Sequence, residues 1–486
     1  AAAPAIRVAD EAGRPLDGLY AEGPVTVSLQ PALAGDRVTY TLDGSEPTAS
    51  SKAYEGPFVL SRSAVVRAAA FDPPGGSGAS PRLPGRPSVR TVLMELRHDL
   101  PVLSVAMDPR DFDGPSGLWT LFTSDMERPA EIAFFEAGGR EGVRFRAGLA
   151  LHGQYSRKEL QKSMEINLRR GYGDPEVTYP FFPGNEVSTF RRLVLRTSGQ
   201  DWKISKLRDA YMTRIVEGYT ALDIMAVRFC AVYVNGAYYG LYEIRENADE
   251  TYMAAHHGAD PDQVDIIKGN NIVREGDNRN YQALLKYVRE HDLRNPEAYA
   301  KVLGWIDEES LMDFVIVQSF YNNADSGNKK FWRPRTEDGQ WRWILFDLDW
   351  GLFPGTYTWN MLSGDLLDPA GHGSDNIFST LLQVRLLENP DFREAFLQRY
   401  AWYLNEVFRP DRMVGILDGM AAEIRSEMPR QIARWGRPGS VEAWEKNVAT
   451  LRRISLEKRD RTKGILRNSF GLGDADMARL FPGDDP

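Results

Sequence analysis

Residues 322–351 read NNADSGNKKFWRPRTEDGQWRWILFDLDWG. The stretch sets Asp325 at one edge of an aromatic, hairpin-like segment and the pair Asp347 and Asp349 at the other. Between and beside them stand Phe331, Trp332, Trp341, Trp343, Phe346 and Trp350. An unpaired carboxylate buried among aromatic rings costs several kcal/mol. A cation, a basic partner or a ligand is therefore expected beside these acids. The aromatics are expected to pack the hairpin that carries Asp347.

Upstream, residues 21–71 read as all-β. VTVSL, RVTYTLDG, PFVLS and AVVRAAAF are short alternating runs separated by Gly, Pro, Ser and Asp, the pattern of a small β-sandwich. LDGSEPT is turn chemistry. Residues 72–90, DPPGGSGASPRLPGRPSVR, read as a Pro/Gly/Ser linker, across which few contacts are expected. From Thr91 strands and helices mix. PVLSVAM, AEIAFFEA, RFRAGLALHG, KSMEINLRR and RRLVLRTSG read as strands, and SKLRDAYMTRIVEGYTAL has helical spacing. Asn235-Gly236 between two alternating runs predicts a hairpin. DNRNYQALLKYVREHD and DEESLMDFVIVQSFYNNAD read as helices, and past Asn389 the pattern is helical almost to the end.

The composition narrows the classes. Apolar residues make up 42% and charged residues 26% of 486 residues, the balance of a soluble globular chain of two to four domains. Net charge is −9, which argues against broad nucleic-acid or anionic-membrane binding. No run approaches the ~20 apolar residues of a membrane span. With a single cysteine, Cys230 in MAVRFCAVYV, no intrachain disulfide forms, and the apolar run predicts a buried strand residue. The start AAAPA lacks Met and resembles what signal-peptide cleavage leaves, although a trimmed chain would look the same. The expectation is an exported protein: secreted, periplasmic or at the cell surface.

Several familiar sites are absent: H-E-x-x-H, G-x-S-x-G, G-x-x-x-x-G-K-[ST] and paired C-x-x-C. Adjacent His256 and His257 diverge in any regular structure, which disfavours a zinc site. DPRDFDG lacks the glutamate a calcium loop requires and reads as a surface turn.

Taken together, AGLALHGQYSRKELQKSMEINL, LVLRTSGQDWKISKLRDAYM, VYVNGAYYGLYEIRENADETYM, DIIKG, NNADSGNKKFW and WILFDLDWG resemble, in order, the CotH family of atypical, kinase-like phosphotransferases. The resemblance runs from about residue 100 to 382. Separately, YTLDGSEPT resembles the small β-sandwich module of chitobiase and hexosaminidase enzymes. The CotH resemblance implies ATP and Mg²⁺ as cofactors and assigns roles residue by residue. Lys162 would bind the α/β-phosphates, helped by Arg157 in place of a glycine-rich loop. Asp325 would orient or deprotonate the acceptor hydroxyl, and Asn328 and Asp347 would ligate the metal. Asp349 is a helper, on the expectation that i and i+2 share a strand face. Glu243 or Glu246 could pair with a basic residue near the lobe connection. No convincing glutamate follows in the helix after Lys162, Asp209 being the nearest candidate.

The expected fold is α+β: a small all-β sandwich with linker (1–90), an atypical protein-kinase-like domain (91–400) and a helical C-terminal extension (401–486). The leading function is transfer of the γ-phosphoryl group of ATP to a hydroxyl of a protein or surface polymer. A non-catalytic cell-surface or matrix binding protein on the same scaffold is the alternative, and a carbohydrate-active enzyme is a third reading. The N-terminal module suggests carbohydrate or cell-surface contact.

Overall fold

The computed structural model describes residues 2–72, 85–94, 97–269, 271–325, 329–368 and 380–483. The architecture is α+β, and the chain divides into two compact units. The first comprises residues 1–197, 227–245 and 423–436; the second comprises 198–226, 246–422 and 437–486.

In the first unit, alternation builds a sandwich. Ala5–Ala9, Val25–Gln30 and Phe58–Leu60 form one sheet; Lys52–Ala53, Arg37–Thr41, Ala64–Phe71 and Ser88–Val92 form the other. Val25, Val27 and Leu29 point inward together with Val38, Tyr40, Val66 and Ala68. Ser88–Val92 pairs with Ala64–Phe71, so the stretch read as linker through Arg90 already contains a strand. Contacts across it are also more than expected. Leu19, Tyr20 and Leu93 pack with Val102, Ala133, Phe135, Ala231 and Tyr233, because both flanks of that stretch carry apolar residues as well as turn formers.

The same unit holds a closed barrel, in the order Glu141–Leu151, Met164–Asn167, Arg192–Arg196, Ala237–Glu246, Val227–Val234, Val102–Ala106 and Glu127–Phe135. The predicted hairpin is present: Asn235 (φ 51°) and Gly236 (φ 80°) make its turn, the signs a two-residue turn requires. A Cβ on Gly236 would meet the Ala64 backbone at 3.0 Å, and its φ of 80° lies in the left-handed region, so both space and backbone favour glycine there. Cys230 is a buried strand residue. From far along the chain, Met428–Trp435 brings Gln431, whose side chain accepts from the Leu241 amide (2.9 Å) and donates to Gln161 (2.8 Å). A helical tail was legible in the sequence; the return of residues 423–436 to this unit was not.

Among its described residues the second unit contains a five-stranded sheet in the order Asp223–Ile224, Arg342–Leu345, Lys330–Pro334, Val264–Lys268 and Ile272–Glu275, with helices around it. Alternation distributes the aromatics over two faces. Phe331 lies opposite Trp343 and packs on Tyr281 (4.5 Å between ring centroids) and Trp341 (5.4 Å). Trp332 faces the other way, joining Met225, Tyr252, Val264, Ile266 and Ile344. Its indole donates to Asp223 Oδ2 at 2.6 Å. Trp350 stays at the surface, 36% exposed.

Glu308–Tyr321 is buried on every side from Ser310 onward, as an apolar helix at the centre of a unit must be. Asp307 caps its start, accepting from the Ser310 amide at 2.9 Å. Asn322 ends it in the left-handed conformation (φ 49°), which asparagine tolerates. This stop delivers Asn323 and Asp325 beyond the end of a rigid helix.

Candidate active site

Asp325 and Asp347 lie in the second unit. Asp325 follows the buried helix and Asp347 follows the strand Arg342–Leu345. The residue Asp325 is exposed as a whole. Partial burial of its carboxyl, and then the nearby charge of Asp347, raise its pKa above the usual carboxylate range, with Lys268 opposing. The two acids are thus close enough to repel, as like charges sharing a site do.

Asp347 has φ 58°, unusual for a residue other than glycine, and the strand has ended at Leu345. The strand-face argument for Asp349 therefore does not hold. The backbone turns at Asp347 and sends Asp349 inward, where Oδ2 accepts from the Gln200 amide at 2.6 Å. Two further ties hold the turn. Asp209, fully buried, accepts from the Leu348 amide at 3.1 Å, and Asn323 Nδ2 donates to the Asp347 carbonyl at 3.1 Å. A backbone held in a sparsely populated conformation by surrounding bonds is common at functional sites.

Asn323 was not singled out in the sequence. It is fully buried, and its Oδ1 has no hydrogen-bond partner among the described residues. A buried amide oxygen left unpaired is costly, and a cation is one partner that would satisfy it. Among the described residues no group of three or more His, Cys, Asp and Glu side chains could hold a metal ion. Mg²⁺ does not need such a cage: it is bound through one or two carboxylates, with waters and phosphate oxygens completing the shell. The donor set of the Asp347 carboxylate and Asn323 Oδ1, with Asp325 nearby, fits that chemistry. Asn328 lies outside the described residues.

Cations stand beside these acids. Lys268 and Lys330 are direct partners across adjacent strands. Their ammonium groups sit 5.8 and 4.7 Å from the centre of the Phe346 ring, the residue before Asp347. Lys330 Nζ also donates to the Ala248 carbonyl at 3.3 Å. Burial lowers the pKa of Lys330 to about 8, against the favourable charges of Asp249 and Asp347. The acids at the edges of the aromatic segment thus do have basic neighbours.

Lys162 and Arg157 belong to the first unit. Lys162 Nζ donates to the carbonyls of Arg157 and Glu159, both at 2.6 Å, and so ties down the turn Ser156–Lys158. It also lies 4.9 Å from the centre of the Phe122 ring, and burial lowers its pKa, opposed by Glu159. Arg157 Nη1 donates to Asp125 at 2.7 Å and to the Ser124 carbonyl at 3.2 Å.

Other candidates have structural roles. Glu243 and Arg245 contact one another at 3.0 Å, both buried. Glu246 pairs with His256 at 2.7 Å, and Asp223 with His257 at 2.6 Å, so the adjacent histidines diverge to different carboxylates. Asp201, in the SGQDWKISKLRD motif, is fully buried. It accepts from the amides of Ser205 (3.2 Å), Leu207 (3.0 Å) and Arg208 (3.1 Å) and from the Arg208 guanidinium (2.9 Å). With all these donors its charge is satisfied internally. Asp108 caps the short helix Pro109–Phe112, as a surface turn in DPRDFDG would.

An α+β chain with two acids presented by a helix end and a strand end, flanked by lysines, has the makings of a kinase-like protein. Comparison with family models identifies it further. Residues 149–461, more than half of the chain, match the model described as CotH kinase protein, and the protein belongs to that family. Residues 15–80 match the chitobiase/beta-hexosaminidase C-terminal domain. Against the curated proteins the sequence gives no match. No helix among the described residues is long and apolar enough to cross a membrane.

Proposed function

We propose that the protein is a phosphotransferase that moves the γ-phosphoryl group of ATP to a hydroxyl of a protein or surface polymer outside the cell. The observation that carries this reading is the juxtaposition of Asp325 and Asp347 beside Asn323, whose Oδ1 has no partner among the described residues, in a chain of the CotH kinase family. Mg²⁺ bound with ATP would supply a charge-neutralised phosphoryl group. Asp347 and Asn323 would hold the metal, with Asn328 as the partner the family resemblance implies. Asp325 orients the acceptor hydroxyl and takes its proton as oxygen bonds to the γ-phosphorus. The bond from that phosphorus to the β,γ-bridging oxygen breaks, and ADP leaves. The raised pKa of Asp325 suits it to accept that proton. Asp349 and Asp209 position the turn that carries Asp347. Lys162 and Arg157 would meet the nucleotide only by exchanging bonds they already make.

That engagement, with the chitobiase-type module, favours a second reading: a non-catalytic surface-binding protein on this scaffold. Titration with ATP and Mg²⁺ followed by calorimetry, with γ-labelled ATP as the transfer assay, separates the two. The kinase reading expects saturable, metal-dependent binding, weakened in Asp347→Ala but retained in Asp325→Ala, with transfer lost in both. No binding at millimolar ATP and Mg²⁺ would overturn it.

A further inference from the structure

Lys268 and Lys330 face one another directly across the strands Val264–Lys268 and Lys330–Pro334. Like charges directly opposite on a sheet repel. Here the repulsion is sharpened, because both ammonium groups converge on one ring, Phe346. Among the described residues the Lys268 ammonium makes no hydrogen bond or ion pair within 4 Å, and the Lys330 ammonium makes one hydrogen bond, to the Ala248 carbonyl. Asp325 and Asp347 are near enough to feel these charges, so partial neutralisation is the simplest role for the pair. That role does not explain two lysines in register on one ring. A divalent cation at Asp347 would compete with the lysines for the same carboxylates and leave them facing whatever anion the metal carries.

We propose that Lys268 and Lys330 form an oxyanion-binding pair that takes the terminal phosphate oxygens of a nucleoside triphosphate. This rests on the phosphotransferase reading and deepens it by placing the phosphate cations in the same unit as the two acids. Compact ammonium groups on opposed strands suit a tetrahedral group with several charged oxygens, each lysine offering up to three donors. Phosphoryl transfer needs such fixed positive charge where charge is redistributed. The pair would do part of the work that a glycine-rich loop does elsewhere.

The test uses the full chain with three probes, each with Mg²⁺: ATP, AMP and inorganic tripolyphosphate, titrated by calorimetry. Lys268→Met and Lys330→Met should each weaken ATP and tripolyphosphate roughly 10- to 100-fold. AMP affinity should change less than about twofold, and Lys268→Arg and Lys330→Arg should recover most of the loss, as one charged donor replaces another. Melting curves of every variant separate misfolding from lost binding. Equal weakening of ATP and AMP, or a changed melting temperature with unchanged ATP affinity, overturns the proposal and leaves the pair as neutralisers of Asp325 and Asp347. Wild-type transfer from ATP that both Met variants retain in full also overturns it, while the phosphotransferase reading stands. Lysine-dependent binding of tripolyphosphate without ATP binding or transfer sinks both that reading and the assignment of the pair to a nucleotide's phosphates.

Discussion

Replacing Asp209 with alanine tests how the Asp347 turn is held. Asp209 and Leu348 are both fully buried, so the Leu348 amide, which now donates to Asp209 at 3.1 Å, would find no water to replace it. Leaving a buried donor unpaired costs about 1–3 kcal/mol. Two ties remain: Gln200 to Asp349 at 2.6 Å, and Asn323 to the Asp347 carbonyl at 3.1 Å. The turn should therefore loosen locally while the unit stays folded. Hydrogen exchange followed by mass spectrometry reads this directly. Amides in a peptide spanning residues 346–352 should exchange roughly 5- to 150-fold faster, the equivalent of that cost when closing outpaces exchange. Asp209→Asn keeps an acceptor oxygen and should stay within about threefold of the wild type. If the alanine variant exchanged at the wild-type rate in this peptide, Asp209 would not be holding the turn. If exchange rose uniformly across the second unit, the residue would be a general support of the fold rather than a positioning residue.

Three further outcomes follow from the geometry. Because the folded-state pKa of Asp325 is raised, its charge destabilises the native state above that pKa and ceases to matter below the ordinary carboxylate value. Asp325→Asn should thus raise the melting temperature at neutral pH, with the gain vanishing on acidification; an unchanged difference across pH would refute the Asp325–Asp347 repulsion. Trp332→Phe removes the indole donor to the buried Asp223 and part of a packed ring, and a loss of about 2–4 kcal/mol in urea unfolding is expected, a loss below about 1 kcal/mol being incompatible with this packing. Deleting residues 1–90 strips Leu19 and Tyr20 from Val102, Phe135, Ala231 and Tyr233, so the shortened chain should bind a hydrophobic dye or aggregate; a soluble, dye-silent product would show that the N-terminal sandwich is dispensable.

Much of this protein is legible in its sequence because local rules dictate it. Period-two alternation marks the strands of the sandwich and barrel, and Asn235-Gly236 marks the turn that only left-handed-tolerant residues make. Helical spacing marks the helix Glu308–Tyr321, although the helical reading runs on through Asp325 and the structure stops the helix at Asn322. Ordered motifs point to the family and single out Asp325 and Asp347 as candidates, but two strands lie between these acids, so only the tertiary fold sets them beside one another.

What the sequence left open depends on pairings between distant segments. Nothing local to DIIKG or GNKKFW puts Lys268 opposite Lys330; the register of two strands more than 50 residues apart does. The direction of Asp349 depended on whether the strand continued past Leu345. Tertiary bonds from Asp209 and Asn323 turn the chain at Asp347 instead. The resemblance implies a phosphate role for Lys162, while the Arg157 and Glu159 carbonyls that occupy two of its donors appear only once the turn has folded back. Alternation and turn chemistry act over a few residues and are written in order along the chain. Hydrogen-bond partners and charge neighbours are set by distance in space, which folding alone decides.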